Sequence, residues 1–475
     1  MAKSVDEILN EMESGFDPTL STVREYFSRR VLIDSGGRAR TPLIGEEAAA
    51  LQTFLHFVVA ESPTLVMAYS GTGKTVLIDA VLDLIPEGEL FSIQQGSETS
   101  PWYNAAAINR ARFVEFPELQ KATQNIGIVE ILKNWGEGKD AKREKTDIIK
   151  EKEGENPIDE QLLKWHPFIS SAAIGNVAAK PVLDDDEFMR RVLEVRTDPS
   201  QEMTKRVVGY KMARWGKATD DAPLTPYEVS MLKGHISEIL NKGPTKYVNP
   251  AYKLFEDVIP TALPVARSYV DNLIRLTNAV GRFYYKKRII LDENLYLTPQ
   301  DLYEASRIYI KDFIEGCMKL PLLGREILNV FPSHKLAMAQ SLTDDIPDNC
   351  KLTIQEVSDK LESIGVSLDV KSVNRILAHL CMNHFLIQDE NDKRKRFHRS
   401  VHTADYDGRV DWKAIVKACA DGAPNDEYRT RFCGSSIVLT DPITGEKVDI
   451  LALPEEKVEQ KKHVDVEKLV SGLKF

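Results

Sequence analysis

The stretch Thr64–Leu84, TLVMAYSGTGKTVLIDAVLDL, decides the fold. Its apolar run Leu65-Val66-Met67-Ala68 predicts a strand covered on both faces, since the run is short and bounded by turn residues. Tyr69-Ser70-Gly71-Thr72-Gly73 predicts a tight loop. Lys74 and Thr75 then open a segment with apolar residues at Val76, Leu77, Ala80, Val81 and Leu84, a helical spacing. Strand, glycine loop, Lys-Thr and helix in that order make a P-loop arrangement. Glycines let backbone N–H groups wrap phosphate oxygens, and a helix N-terminus favours negative charge. An ammonium such as that of Lys74 reaches the β/γ-phosphates, and a hydroxyl such as that of Thr75 ligates Mg²⁺. The expected cofactors are therefore ATP and Mg²⁺, held by Ala68, Ser70, Gly71, Thr72, Gly73, Lys74 and Thr75. Ala68 takes the place of the usual first glycine, and its small side chain still permits a close approach. A chance glycine turn between a strand and a helix is the plain alternative.

Around this stretch lie 475 residues, 43% hydrophobic and 28% charged, ordinary values for a globular chain. At about 100–200 residues per domain that length predicts two to four domains. A net charge of −10 excludes a uniformly basic nucleic-acid coat but leaves room for local basic patches. The five cysteines are scattered and never paired as C-x-x-C, so neither a zinc site nor a disulfide framework is expected, which suits a reducing interior. The first residues, MAKSVDEILNEMESG, carry acids where a signal peptide needs an apolar core. No apolar run approaches the roughly 18 residues of a membrane span. The expectation is a soluble intracellular protein with no membrane partner, cytoplasmic or nucleoid-associated.

Upstream, residues 1–42 predict two short helices, Val5–Met12 and Leu20–Val31, read as an arm or docking element. Leu43–Val59 predicts a helix leading to the first strand. Downstream, Leu90–Ile93 predicts a second strand, residues 97–111 a helix, and Arg112–Phe116 a third strand followed by Pro117-Glu118. An apolar strand ending in acid can order a metal shell and polarise an attacking water. Glu118 is the candidate catalytic carboxylate, and Glu115 the candidate metal-side charge beside Thr75. Pro117 stands where such a strand normally ends in Asp, which suits slow hydrolysis. An exposed acid at a strand end would look the same as Glu118.

A helix over Ile126–Trp135 precedes residues 139–155, which carry six basic and six acidic side chains. They read either as a solvated charged loop or as a β-hairpin projecting Lys142, Arg143, Lys145, Lys150 and Lys152. Residues 167–176 predict a buried strand ending at Asn176, an amide able to hold a lytic water, or simply a turn residue after Gly175. Asp184–Glu187 caps a short helix before a last strand, and Arg190 and Arg191 fall just ahead of that strand. An arginine there could reach a neighbouring subunit's nucleotide and neutralise developing charge, or could form an ordinary surface ion pair.

This sequence of elements resembles the AAA+ ATPase core. The hairpin resembles the pre-sensor hairpin of helicase-type members, whose loops line a central channel and grip DNA. The resemblance puts Asn176 at the first-sensor position and Arg191, or Arg190, at the arginine-finger position. Residues 266–310 resemble the lid of minichromosome-maintenance helicases through Leu273-Ile274-Arg275-Leu276 and the helix start Thr298-Pro299-Gln300-Asp301. The second-sensor arginine of that family falls on Ser268 by ungapped spacing, with Arg267 one residue off as the candidate; a plain amphipathic helix explains the same pattern.

Residues 350–400 read as a winged helix. Thr353–Glu356 fits a capping box, and a helix beginning at Asp369 would expose Lys371, Asn374 and Arg375. A basic tip follows at Lys393, Arg394, Lys395 and Arg396. Such a unit suits duplex contact, though the same fold also binds protein. Beyond it, Ser436–Thr440 and Lys447–Leu453 predict two strands about a turn.

The expected architecture is α/β: a P-loop AAA+ parallel-sheet core (43–215) after an N-terminal arm (1–42), then a helical lid (216–345), a winged helix (346–405) and a C-terminal extension (406–475). The function implied is an ATP-driven DNA translocase or helicase. It would work as a homo-oligomeric ring, a hexamer by resemblance, with single-stranded DNA in the channel and duplex at the winged helix. An initiator or loader using ATP as a switch, and a protein-remodelling ATPase without DNA affinity, stand as alternatives.

Overall fold

A computed structural model describes residues 18–28, 42–68, 71–93, 100–116, 118–122, 126–146, 158–173, 185–198, 201–216, 226–256, 259, 266–317, 324–332, 346–363, 366, 368–382, 385–389, 395–399 and 410–453. The chain is a mixed α/β protein organised on a five-stranded parallel sheet. Its strands are β1 (Thr64–Ala68), β2 (Leu90–Ser92), β3 (Phe113–Glu115), β6 (Phe168–Ala173) and β7 (Leu193–Arg196), in the order β2-β3-β6-β1-β7. The intervening β4 (Ala141–Thr146) and β5 (Ile158–Leu163) form a separate antiparallel ladder, Ala141 opposite Leu163 through Thr146 opposite Ile158. Of the charged segment 139–155, residues 141–146 therefore form a strand, but its partner lies beyond the segment at 158–163, and residues 147–157 lie outside the described residues.

Side-chain alternation divides the sheet between two cores. Val66, Phe113, Ile169 and Val195 face one cluster, while Leu65, Met67, Val114, Phe116, Phe168 and Ala172 face the other. The second cluster is closed by the Ile126–Gly136 helix, where Trp135 packs edge-on against Phe116. The first is closed by the Lys74–Leu82 helix and by the run Glu47–Val59. That run differs from the single helix expected over Leu43–Val59. It starts at Glu47 and widens to π winding over Phe54–Val59, where all six side chains are buried. The predicted helix at 97–111 is likewise two separate turns, Ser100–Tyr103 and Ala105–Ile108.

The first core does not stop at the sheet. It continues through the helix Ala266–Phe283 to Leu20, Val23 and Phe27 of the N-terminal helix (Leu20–Ser28), and to Ile415, Cys419 and Tyr428 near the C-terminus. The Tyr284 hydroxyl accepts the Leu20 N–H at 3.0 Å, and Tyr428 donates to the Leu297 carbonyl at 2.5 Å. The arm and the extension thus share one packed body with the sheet and the lid helices.

Two ion-pair clusters and one buried hydrogen-bonded acid tie this body together. Glu61, at φ 51°, receives both Arg112 and Arg282; Arg282 also donates to the Val59 carbonyl at 2.7 Å. Arg288 and Asp301 form a fully buried pair at 2.5 Å. Glu304 lies buried between Gln300, which donates to it at 2.8 Å, and the Tyr284 hydroxyl at 3.2 Å.

Burial, assisted by the nearby Asp301 charge, pushes the Glu304 carboxyl up to about 8. Between the ordinary 4.5 and about 8 the folded chain keeps this proton while the unfolded chain releases it, so the group's contribution to stability falls as pH rises through that window. Glu304→Gln, which imitates the protonated form, should therefore raise the urea midpoint relative to wild type at pH 8 and leave it nearly unchanged at pH 4.5. Equal midpoints at both pH values would contradict the buried-acid assignment.

Residues 324–399 carry their own core, built on Val357, Leu361, Val373, Leu377, Leu380 and Phe397. Helices Ile354–Ser363 and Val370–Met382 pack beside the antiparallel pair β8 (Leu386–Gln388) and β9 (Phe397–Arg399). The helix Gly324–Val330, grouped with the lid in the sequence reading, gives Ile327 and Leu328 to this core.

Candidate functional site

All five parallel strands present their carboxyl ends along one edge, where an open α/β sheet gathers its functional groups. β1 ends at buried Ala68, and the chain re-emerges in a turn with Gly71 at φ 87° and Gly73 at φ 90°. Side chains other than glycine rarely adopt that backbone, so the Gly-x-Gly spacing makes the turn possible. A Cβ added at either glycine would meet nothing within 4 Å. The turn therefore borders open space and hands directly to the helix Lys74–Leu82, whose first-turn Thr75 is exposed. Ser70 lies outside the described residues.

Across this edge the Lys74 ammonium pairs with the Glu118 carboxylate, and Lys121 lies 4.0 Å from the second Glu118 oxygen. β6 separates β1 from β3, a gap of about 10 Å at two strand spacings, which long side chains close. Thr72 joins the same edge through a 2.9 Å hydroxyl contact with Thr197, the residue following β7. Thr197 in turn donates its N–H to the Met67 carbonyl at 3.2 Å.

Glu115 sits opposite Ser92 in the ladder and accepts the Ser92 hydroxyl at 2.6 Å. Burial raises its carboxyl above the ordinary value; the Ser92 hydrogen bond opposes this and the Asp79 charge adds to it. Asp79 is one helical turn beyond Thr75, so the hydroxyl and the two acids share one side of the edge. Among the described residues no group of three or more His, Cys, Asp or Glu is gathered to hold a metal ion.

The sequence reading missed Thr197, Ser92 and Asp79. The signal for the first two was available: each ends or follows a strand whose neighbours end at the same edge. Asp79 could have been found from its i, i+4 relation to Thr75.

Other candidates lie away from this edge. Arg190 and Arg191 close the helix Asp186–Arg191, just before Leu193, which pairs with Thr64 at the start of β1. Five strand residues, about 16 Å, separate that end from their own glycine turn. Arg190 is exposed, and Arg191 lies 3.8 Å from Glu137. Arg267 is exposed in the first turn of the Ala266–Phe283 helix. Asn176 lies outside the described residues.

On the β4–β5 ladder Lys142 is exposed and Arg143 half-buried; the Lys145 backbone is in β4, and its side chain lies outside the described residues, as do Lys150 and Lys152. On the Val370–Met382 helix, Lys371, Asn374 and Arg375 are exposed opposite Val373, Leu377 and Leu380. Lys395 is exposed at φ 50°, and Arg396 lies 3.5 Å from Asp348. Lys393 and Arg394 lie outside the described residues. No described helix is long and apolar enough to cross a membrane.

No family model matches the chain, and no curated protein matches its sequence.

Proposed function

We propose that this chain is an ATP-hydrolysing DNA translocase of the AAA+ type, working as a ring. The observation that carries the reading is the contact between Lys74 and Glu118 beside an open glycine turn at the carboxyl edge of the sheet. Lys74 opens the helix after β1 and Glu118 follows β3, so the fold brings two distant charged groups together at the glycine turn. They are the pair that phosphate binding and water activation require within a few ångströms of each other.

The residues fit ATP with Mg²⁺. Backbone N–H groups around Gly71–Gly73 and the helix N-terminus would hold phosphate oxygens, and Lys74 would exchange Glu118 for a phosphate. Freed from Lys74, Glu118 would take the proton of the attacking water. Thr75 and Glu115 would face Mg²⁺, whose charge would offset the Asp79–Glu115 repulsion and hold Glu115 ionised. Mg²⁺ itself supplies charge neutralisation of the transferring phosphoryl group.

Arg190 and Arg191, at the far end of the strands, would act on a neighbouring copy's nucleotide, which is the argument for a ring. Exposed Lys142 on the β4–β5 ladder, and Lys371 with Arg375 on the 370–382 helix, are the candidate DNA contacts, the latter in a winged-helix reading of residues 324–399. A second reading, ATP as a switch for an initiator or loader, is favoured by Pro117 standing where a metal-side Asp is usual.

Steady-state ATP hydrolysis with and without single-stranded DNA separates the two. A translocase should be stimulated several-fold by DNA at low salt, with stimulation lost at moderate salt because phosphate contacts are steeply salt-dependent. Slow hydrolysis indifferent to DNA would select the switch or a protein remodeller.

A further inference from the structure

One buried acid is left unused by the proposed chemistry. Glu46 stands at the start of the Glu47–Thr53 helix. A residue there normally turns its side chain onto the N–H groups of its own helix. Glu46 makes no such bond. Its carboxyl oxygen instead accepts the Asp198 N–H at 2.9 Å. Asp198 follows Thr197, which donates its own N–H to the Met67 carbonyl of β1 and whose hydroxyl meets that of Thr72 at 2.9 Å. A continuous path therefore runs from Glu46 to Asp198, one peptide back to Thr197, and across to Thr72 in the glycine turn.

The acid is held in place from the other side as well. Gly45, at φ 85°, turns the chain into the helix, and any Cβ there would collide with the Met203 sulfur. The helix Gln201–Gly216 thus presses directly on the loop that carries Glu46. The charged groups facing Glu46 are Asp198 from the segment after β7, Glu47 from its own helix and Arg206 from the helix Gln201–Gly216. Burial pushes the Glu46 carboxyl up to about 8; the Asp198 N–H and the Arg206 charge oppose the rise, and the Asp198 and Glu47 charges add to it.

We infer that Glu46 is a positioning residue for nucleotide binding: through Asp198 and Thr197 it fixes Thr72 in the glycine turn. The inference rests on the reading of that turn as the phosphate site and adds to it a residue from outside the turn. Removing the acceptor leaves the Asp198 N–H unpaired and frees the segment that holds Thr72. Ionising it adds a negative charge beside Asp198 and Glu47, on the path to the phosphates. Bound nucleotide, itself an anion, therefore favours the protonated acid, and by linkage its affinity falls as pH rises through about 8.

The test is calorimetric titration of the full chain with Mg²⁺ and a non-hydrolysed ATP analogue, from about pH 6.5 to about pH 9.5. The proteins are wild type, Glu46→Gln, Glu46→Ala, Thr197→Val, the double variant of the last two, and Lys74→Ala as control. Glu46→Gln keeps an acceptor for Asp198 and cannot ionise. It should bind like wild type at pH 7 and lack the extra fall in affinity that wild type shows above about pH 8. The comparison cancels the titration of the nucleotide itself. Glu46→Ala and Thr197→Val should each weaken binding about tenfold, and the double variant no more than either, because both break one path. Parallel pH profiles for wild type and Glu46→Gln, wild-type affinity in Glu46→Ala, or single losses that multiply in the double variant each overturn the inference and leave the phosphate reading standing. If Glu46→Ala does not fold, the Glu46→Gln profile and the affinity of Thr197→Val decide. Binding that is indifferent to Lys74→Ala overturns the phosphate reading and the inference with it.

Discussion

Lys74→Ala should abolish measurable ATP hydrolysis and weaken ATP binding by about two orders of magnitude or more, the loss of one strong charge-assisted contact in a preorganised site. The comparison with Glu118→Gln makes the result specific. In the present structure the two side chains satisfy each other. Removing the lysine leaves Glu118 facing incoming phosphate without its close ion pair, Lys121 lying 4.0 Å off and half-exposed. Lys74→Ala thus loses an attraction and gains a repulsion.

Glu118→Gln does the opposite. It frees Lys74 from a competing carboxylate, so ATP binding should hold or tighten, while hydrolysis should fall by about 10²–10⁴-fold with the loss of the base. Calorimetric titration with a non-hydrolysed analogue and steady-state turnover on both variants decide the matter. If Glu118→Gln hydrolyses ATP at the wild-type rate, Glu118 is only the lysine's resting partner and the base must be sought elsewhere.

Sequence legibility followed the range of the interactions. β1, the glycine turn and the following helix could be read because apolar run, positive-φ glycines and helical spacing are local signals. The start at Thr298-Pro299-Gln300-Asp301 was legible for the same reason, and Thr298 and Asp301 do bond each other's backbone N–H groups. The Thr353–Glu356 box is formed as well, with the Thr353 N–H donating to Glu356 at 2.7 Å.

Pairings made over long separations were not legible. Glu61 gives no sign in sequence that it will receive arginines from positions 112 and 282, and an arm of two short helices gives no sign that Leu20 and Phe27 belong to the central core. The π winding at Phe54–Val59 was hidden because a run of large apolar residues has the same pattern in either helix. At the candidate site, residue types were readable and their meeting was not. Glu115 lies inside β3 and is taken up by Ser92 on the neighbouring strand, whereas Glu118 lies past the strand's end and meets Lys74, a division set by tertiary packing.

Asp301→Ala should be the most destabilising single substitution in the lid, costing about 3–5 kcal/mol, because it leaves a buried arginine uncompensated. Arg288 is 2% and Asp301 0% exposed at the side chain. The guanidinium donates through Nε at 2.9 Å to one carboxylate oxygen and through Nη2 at 2.5 Å to the other. It also lies 4.8 Å from the Tyr284 ring centroid and 5.6 Å from that of Phe432. The same Asp301 carboxylate accepts the Thr298 N–H at 2.8 Å and the Thr298 hydroxyl at 2.9 Å, so one acid caps a helix and neutralises a cation.

Because Phe432 belongs to the C-terminal segment and Tyr284 to the end of the central helix, the loss should spread to both. Urea unfolding should show a lower midpoint, and amide exchange should quicken around Tyr428 as well as around Thr298. The double replacement Arg288→Met with Asp301→Leu should recover much of the loss, since apolar groups of similar volume need no partner, although the cap on Thr298 stays broken. If Asp301→Ala instead costs under about 1 kcal/mol, water reaches Arg288 in solution and the packing of the C-terminal segment over the pair is looser than its burial implies.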